Sequence, residues 1–499
     1  MKVLLLYPKF PKTFWGFEYA LPFIGKKSSF PPLGLLTVAS LLPKDWDKRL
    51  IDLNVQNINE KDVQWADFVL ISAMIIQKES VREIINISKN NGKKIIAGGP
   101  LFTTGFEEFL DDIDHFILGE AEATLPLFLD DFKNGNAKKI YKSDQWPDIS
   151  KSPVPLWELI DKKNYASMGI QLSRGCPFNC EFCDIVLLNG RFPRTKNENQ
   201  LLNELDVLYQ MGWRGSLFFV DDNFIGNKIK LKKEILPTLI SWMEERKYPF
   251  SFLTQVSINL ADDEELMNLM AKAGFDNVFI GIETPKEESL KECGKFQNLN
   301  RDLLGSIKVI QNHGMQVQAG FIIGFDQDAQ SIFDRMILFI QTSGIATAMV
   351  GILQALPKTK LWKRMEAEGR LISQASADTD GTINFKPKMD FNSLVSGYQK
   401  IISHLYSPKY YYQRLLTFLK EYNLTKRKKK KKIDLDHLFA FLKSIFVLGI
   451  KEKERSYYWK LFFWTLFKKP TLFPMTIELI IKGFHFRKIS ESYVSQKTN

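Results

Sequence analysis

Two successive runs of strand and helix alternation constrain this chain more than any other feature. From Lys2 to about Phe132, short apolar stretches predict strands at Val3–Tyr7, Arg49–Leu53, Phe68–Ala73, Lys94–Ala97 and His115–Leu118, with helices near Leu33–Leu42, Glu79–Asn90 and Glu122–Asp131. That order builds a parallel sheet with helices on both faces and a ligand crevice beyond the carboxyl ends of the strands. A second run from Ala166 to about Trp362 predicts strands at Gly169–Ser173, Ser216–Val220, Phe250–Gln255, Asn277–Ile282, Gln316–Ile323 and Ala346–Gln354, separated by helices. Six strands with crossover helices curl toward a partial TIM barrel, (βα)6, with its chemistry at the strands' carboxyl ends. The expected class is therefore α/β: a Rossmann-like domain over 1–144, a linker over 145–165 with Pro147, Pro153 and Pro155, a barrel core over 166–370, and a mainly helical, aromatic and basic region over 371–499. The first strand is followed by Tyr7-Pro8-Lys9-Phe10, so a Gly-x-Gly-x-x-Gly dinucleotide fingerprint is missing.

Charge is polarised along the chain. The net formal charge is +11, yet Phe391–Asn499 holds 22 basic against 7 acidic residues, a balance of +15, and the rest carries −4. This argues against a protein-wide nucleic-acid footprint and for an anionic partner met by the C-terminal part. The opening Met-Lys-Val-Leu-Leu-Leu-Tyr-Pro is too short an apolar run for a signal peptide, which predicts a cytoplasmic protein. No charge-free stretch reaches the ~20 residues of a spanning helix.

Of four cysteines, Cys176, Cys180 and Cys183 crowd into eight positions just after the first strand of the barrel series. Four are too few for a disulfide framework, and the crowding reads as a metal site in a reducing compartment. Three thiolates on one loop can hold three irons of a cubane cluster and leave the fourth iron open. Gly175 permits the tight turn, and Phe178 and Phe182 can keep water away, which helps set the cluster's potential. The alternative is a zinc site, whose fourth ligand would come from Cys293 or one of the five histidines.

This Cys-x3-Cys-x2-Cys spacing at the head of a (βα)6 series resembles the radical S-adenosylmethionine (SAM) superfamily. The resemblance implies a [4Fe–4S] cluster on the three cysteines, SAM chelated at the open iron, and a 5′-deoxyadenosyl radical from its reductive cleavage. Matching the family's motifs strand by strand implies SAM contacts at Phe182 in the cysteine loop, at Asp222 and Asn223 after the second strand, and at Gln255 closing the third. Glu283 in Gly281-Ile282-Glu283-Thr284 would face the ribose. Gly320, Ile322 and Gly324 would lie along the adenine.

A Rossmann-like domain directly before such a core, with Phe30-Pro31-Pro32-Leu33-Gly34, Gly98-Gly99-Pro100 and Gly119-Glu120, resembles the cobalamin-binding branch of that superfamily and, within it, the hopanoid C-2 methylases. Ser72, Gly98, Gly99, Gly119 and Glu120 at strand ends would then border cobalamin. The loop after the first strand has no Asp-x-His-x-x-Gly, so no lower-face histidine is expected. The implied reaction is methylation of an unactivated carbon of a lipid-like or other small molecule, the methyl group being carried by cobalamin and replenished from a second SAM. Ring formation or rearrangement without methyl transfer, and a redox iron–sulfur protein that does not turn over, are the alternatives. A reductase, flavodoxin or ferredoxin would supply electrons. Nucleic acid is not expected, because the tail has no recognised module. Seven consecutive basic residues, Lys426–Lys432, and the aromatic stretch Tyr457–Lys469 predict peripheral docking on the inner face of a membrane. Basic residues near an anionic leaflet contribute roughly 1 kcal/mol each before screening. Otherwise the tail serves as a lid over the barrel.

Overall fold

The computed structural model describes residues 1–377, 381–423 and 435–495. Its first part is a parallel sheet of β1 (Lys2–Tyr7), β2 (Asp47–Asp52), β3 (Phe68–Ser72), β4 (Lys94–Gly98), β5 (His115–Ile117) and β6 (Ile140–Tyr141), in the order β2-β1-β3-β4-β5-β6. The run Val3–Leu6 is continuously apolar because both faces of β1 are covered: Val3 and Leu5 enter one core, Leu4 and Leu6 the other, and all four are fully buried. Each such side chain contributes about 1.5–3 kcal/mol relative to exposure. Strand β6 was not expected. It is only two residues long, follows Lys138-Lys139, and buries Tyr141 alone, so it carries no apolar pattern to read.

The second series forms β7 (Met168–Ile170), a two-residue hairpin of β8 (Ser173–Arg174) and β9 (Arg194–Thr195), then β10 (Ser216–Phe219), β11 (Ser251–Gln255), β12 (Phe275–Glu283), β13 (Gln316–Ile323) and β14 (Ala348–Ile352). The large sheet is parallel and ordered β14-β13-β12-β11-β10-β7, so the barrel is open between β7 and β14. The single strand expected over Gly169–Ser173 breaks after Ile170. Buried Asp221 accepts hydrogen bonds from Leu172 N (3.2 Å) and from the amide and hydroxyl of Ser173, which draws the chain out of the sheet and into the hairpin.

Alternate residues of the barrel strands, among them Phe218, Gln255, Phe279, Ile322 and Met349, are half-buried around the lumen, while their neighbours are buried against the outer helices. The segment 145–165 is packed onto the first sheet: Trp157 and Tyr165 are buried, Leu156 N donates to Leu36 O, and Tyr165 Oη donates to Asp52 Oδ2 at 2.9 Å.

The C-terminal region is helical over Phe391–Tyr406, Pro408–Glu421, Leu435–Lys451, Arg455–Lys468 and Phe473–Ser495. It packs on both earlier parts. Gly397 lies so close to the Phe333 ring that no Cβ would fit, and Phe486 stacks on Phe14 with ring centroids 4.2 Å apart. The expected basic run Lys426–Lys432 lies outside the described residues. Among the described residues no helix is long and apolar enough to cross a membrane.

Candidate active site at the barrel mouth

The cysteine loop is launched at the carboxyl edge of the barrel and fixed through its backbone. Gly175 adopts φ +100°, and a Cβ there would stand 2.8 Å from Phe192 O, so the chain needs glycine on both counts. Gly175 N donates to Asp222 Oδ2 at 2.7 Å, Cys176 N to Gly190 O, and Glu181 N to Cys293 O. Glu181, between Cys180 and Phe182, receives a two-point contact from Arg364, Nε to Oε1 at 2.7 Å and Nη2 to Oε2 at 3.0 Å. Burial pushes all three thiols up, and the nearby Lys295 ammonium opposes it. A surface cavity of about 390 Å³, bordered by Pro177, Phe178, Asn223 and Lys228, opens beside the loop.

The residues expected around SAM fall along one edge. Gln255 closes β11 on the lumen side, and Gly320 and Ile322 share the lumen face of β13, with Phe321 turned outward onto Phe339. Phe279 Cζ and Met349 Cε lie 3.1 and 3.7 Å from where a Gly320 Cβ would be. Gly324 has φ +97° and its amide donates to Asp328. Phe182 lies 6.5 Å from the Phe325 ring. Asp222 already receives Gly175 N and Asn189 Nδ2, and Asn223 is paired with Ser257. Glu283, at a register shift of β12 with φ +65°, pairs with Lys295 Nζ at 2.7 Å.

The edge of the first sheet is more varied. The places a Cβ would take at Gly98 and Gly99 are filled by Ile117 O (2.8 Å) and Ser72 Oγ (2.6 Å), so these glycines serve the sheet's own packing. Gly119 faces open space with φ +78°. Glu120 is held by Arg174 Nη1 at 2.5 Å and by Arg194. Glu122 takes Arg174 Nη2 at 2.8 Å and the Ser152 hydroxyl at 2.6 Å. Burial opposes the Glu122 charge, but Arg174 outweighs it and holds the carboxyl at about 2. The first sheet is thus tied by buried ion pairs to the strand that starts the cysteine loop.

Two further groups were missed from the sequence, and a third, the segment 30–34, was read there only as part of the family resemblance. Trp15, in the loop after β1, donates from Nε1 to Met349 Sδ at 2.7 Å and meets the Phe279 ring edge-on at 5.5 Å, which sets that loop against the lumen side of the barrel strands. Phe30 contacts Phe218, and Leu33 lies against Gly169, so the Phe-Pro-Pro-Leu-Gly segment seats on the lumen side of β7 and β10. Arg174 and Arg364 find their partners 52 to 54 and 183 residues away, which no local spacing reveals.

The donor set fits a cluster with one open corner. Three thiols share one loop, and Cys293, fully buried, turns its Sγ toward Leu290 O among Phe325 and Leu353. His115, the sole histidine of residues 1–144, sits at the amino end of β5 and contacts Lys138 O, on the far side of the sheet from the barrel mouth.

A model of the B12 binding domain matches residues 26–129, one of the radical SAM superfamily matches 170–340, and a domain of unknown function, DUF4070, matches 359–499. The chain is 42% identical to an uncharacterized methyltransferase of Synechocystis over 98% of its own length and 92% of that protein. It is 30% identical to the hopanoid C-2 methylase of Rhodopseudomonas palustris over 92% and 88%. In fold it resembles OxsB, a cobalamin-dependent SAM radical enzyme solved with aqua-cobalamin and SAM, with a TM-score of 0.64, 16% identity, and coverage of 99% of this chain and 80% of that one.

Proposed function

This chain belongs to the cobalamin-binding radical SAM family, and from that premise we propose that it methylates an unactivated carbon of a lipid-like small molecule. It is an enzyme of the radical SAM methyltransferase kind, with a [4Fe–4S] cluster, SAM and cobalamin as cofactors. When bound, the cluster supplies the electron that cleaves SAM, and cobalamin carries the methyl group. The protein's part is to orient and to exclude water.

Cys176, Cys180 and Cys183 hold the cluster in this reading. Gln255, Gly320 and Ile322 border SAM from the lumen, with Asp222, Asn223, Glu283, Gly324 and Phe182 around the strand ends. Ser72, Gly98, Gly99 and Gly119 lie on the cobalamin side, and Glu120 fixes the spacing of the two edges through Arg174. The lipid-like substrate rests on the likeness to the hopanoid C-2 methylase over nearly the whole chain. Docking on an anionic membrane and a flavodoxin-like or ferredoxin-like electron donor complete the reading. The observation that carries it is the placement of the cysteine loop at the open barrel mouth, clamped by Arg174 to the edge of the first sheet.

Anaerobically reconstituted protein given SAM and a low-potential reductant should release 5′-deoxyadenosine, and methyl-labelled SAM should label a lipid extract. Lipid profiles of a deletion strain should lack one methylated species. Stoichiometric zinc without iron, or deoxyadenosine release with no label transferred to any extract, would overturn the reading.

A further inference from the structure

The helical segment over 435–451 is apolar on two faces, and among the described residues only one of them is packed against the rest of the protein. Ala440, Phe441, Ile445 and Leu448 pack inward with Tyr458 and Ile477. Leu438, Phe439, Leu442, Phe446 and Ile450 point the other way and are each 48–57% exposed. A helix apolar all round belongs in a core or in lipid. The following helix, Arg455–Lys468, adds exposed Phe463, Leu466 and Phe467. Trp459 Nε1 donates to Gly449 O at 2.9 Å, and the rings of Trp459, Phe463 and Phe467 stack in succession, which joins the two helices into one continuous face. Its other aromatics are taken up by packing: Tyr458 is buried, Phe462 packs on Phe441 and Phe473, Tyr457 lies against Tyr412, and Trp464 packs on the main core.

The rim of this face is cationic. Lys451 lies 4.5 Å from the Phe446 ring centre, and Lys460 and Lys468 are exposed on the second helix, whereas the Lys443 ammonium is taken by Pro22 O at 2.9 Å. The nearby carboxylates Glu452 and Glu454 are paired with Arg487. The seven basic residues Lys426–Lys432 precede the first helix in sequence. Two copies of such a rim repel one another, whereas an anionic surface with an apolar interior satisfies both the rim and the face.

We propose that this two-helix face beds into an anionic lipid leaflet, with Phe439, Phe446 and Phe467 entering the acyl boundary and the lysines meeting the headgroups. The proposal deepens the membrane contact of the functional reading and rests on it. The full-length protein is sedimented with phosphatidylcholine vesicles with and without phosphatidylglycerol, as wild type, as the triple variant Phe439→Gln, Phe446→Gln, Phe467→Gln, and as Lys451→Glu, Lys460→Glu, Lys468→Glu. Wild type should bind the mixed vesicles, less so at high salt. The phenylalanine variant should bind at least about tenfold more weakly with its circular dichroism unchanged, as expected for lost apolar insertion. The lysine variant should lose its preference for the anionic lipid. Wild type remaining in the supernatant at low salt, or a phenylalanine variant that binds as wild type does, would overturn the proposal. So would a wild-type dimer that becomes a monomer in that variant without any vesicle binding. Vesicle binding needs neither cluster nor cobalamin, so it stands or falls separately from deoxyadenosine formation.

Discussion

Arg174 Nη2 stands 2.8 Å from Glu122 Oε1, joining the strand that launches the cysteine loop to the helix that follows β5 in the first sheet. Both side chains are nearly buried, as is Glu120 on the other edge of the same guanidinium. Removing one member of a buried pair leaves an uncompensated charge and costs about 3–5 kcal/mol. Arg174→Met should lower the denaturation midpoint of the apoprotein by a corresponding amount. Because Glu122 is held at about 2 against an ordinary value of 4.5, its contribution is fully present above pH 4.5 and is lost as pH falls from there toward 2. The variant should lack this acid-dependent loss. Denaturation curves of the two proteins across that range test it, and parallel curves would refute the assignment.

Arg364 makes the corresponding contact on the opposite side of the cysteine loop. Besides Glu181 it reaches Asp326 at 2.8 Å, and Arg370 holds the same Asp326 at 2.7 Å. Burial opposes the Asp326 charge, but the two guanidinium groups hold its carboxyl at about 2. Planar two-point recognition is a property of arginine that lysine does not share. Arg364→Ala should weaken the loop's hold by about 2 kcal/mol, the scale of charged hydrogen bonds. Arg364→Lys should recover part of it. The readout is iron release from reconstituted protein challenged with a chelator: fastest for Ala, intermediate for Lys, slowest for wild type. Equal rates in all three would show that the pair does not steady the loop.

The strands and helices were largely legible in the sequence because the first sheet is buried on two faces and most barrel strands carry apolar side chains both outward against the helices and inward around the lumen. Val3–Leu6, Val278–Ile282 and Phe321–Ile323 can be read as apolar runs without knowing their neighbours. The cysteine loop was legible because three cysteines fall within eight residues. What could not be read was pairing across distance. Glu120 reads as a ligand-bordering residue after a strand, and only the fold brings Arg174 and Arg194 to it. Gly98 and Gly99 read as places for ligand approach, and only the fold shows a further demand for glycine there, since Ile117 and Ser72 occupy the space their missing side chains leave. The aromatic tail gave no sign of which rings are core, since Tyr458 and Phe467 belong to one helix and differ only in what packs on them.

Cobalamin bound to this chain should carry no protein imidazole. His115 lies at the wrong end of β5, and His485, which approaches the loop after β1, uses both ring nitrogens on backbone atoms of Phe14 and Tyr19. The electron paramagnetic resonance spectrum of cob(II)alamin in the reconstituted protein should show no strong coupling to a histidine nitrogen, and His115→Ala should leave it unchanged. Strong nitrogen coupling that disappears in a histidine variant would contradict this geometry.

His485 also predicts how the C-terminal helix responds to acid. Its Nε2 donates to Phe14 O at 3.0 Å and its Nδ1 accepts from Tyr19 N at 3.4 Å, so the neutral ring is required. Burial lowers its proton affinity to about 4 from the usual 6.5, with the backbone carbonyls of Phe14 and Thr13 opposing it in part. In the unfolded chain the ring protonates near 6.5 while the folded ring does not, so acid favours the unfolded form. Stability from this residue is therefore intact above about pH 6.5, falls as pH drops toward 4, and is lost by about 3 kcal/mol once that interval is crossed. The last helix should respond first, because the ring joins Phe473–Ser495 to the loop after β1. Hydrogen exchange at pH 7 and pH 5 should show protection lost in Phe473–Ser495 and in Thr13–Tyr19 together. His485→Gln, which keeps a donor and an acceptor but does not titrate in this range, should remove the pH dependence while keeping most of the contact. If the two segments exchange independently, or if the glutamine variant retains the acid response, His485 is not the group that couples them.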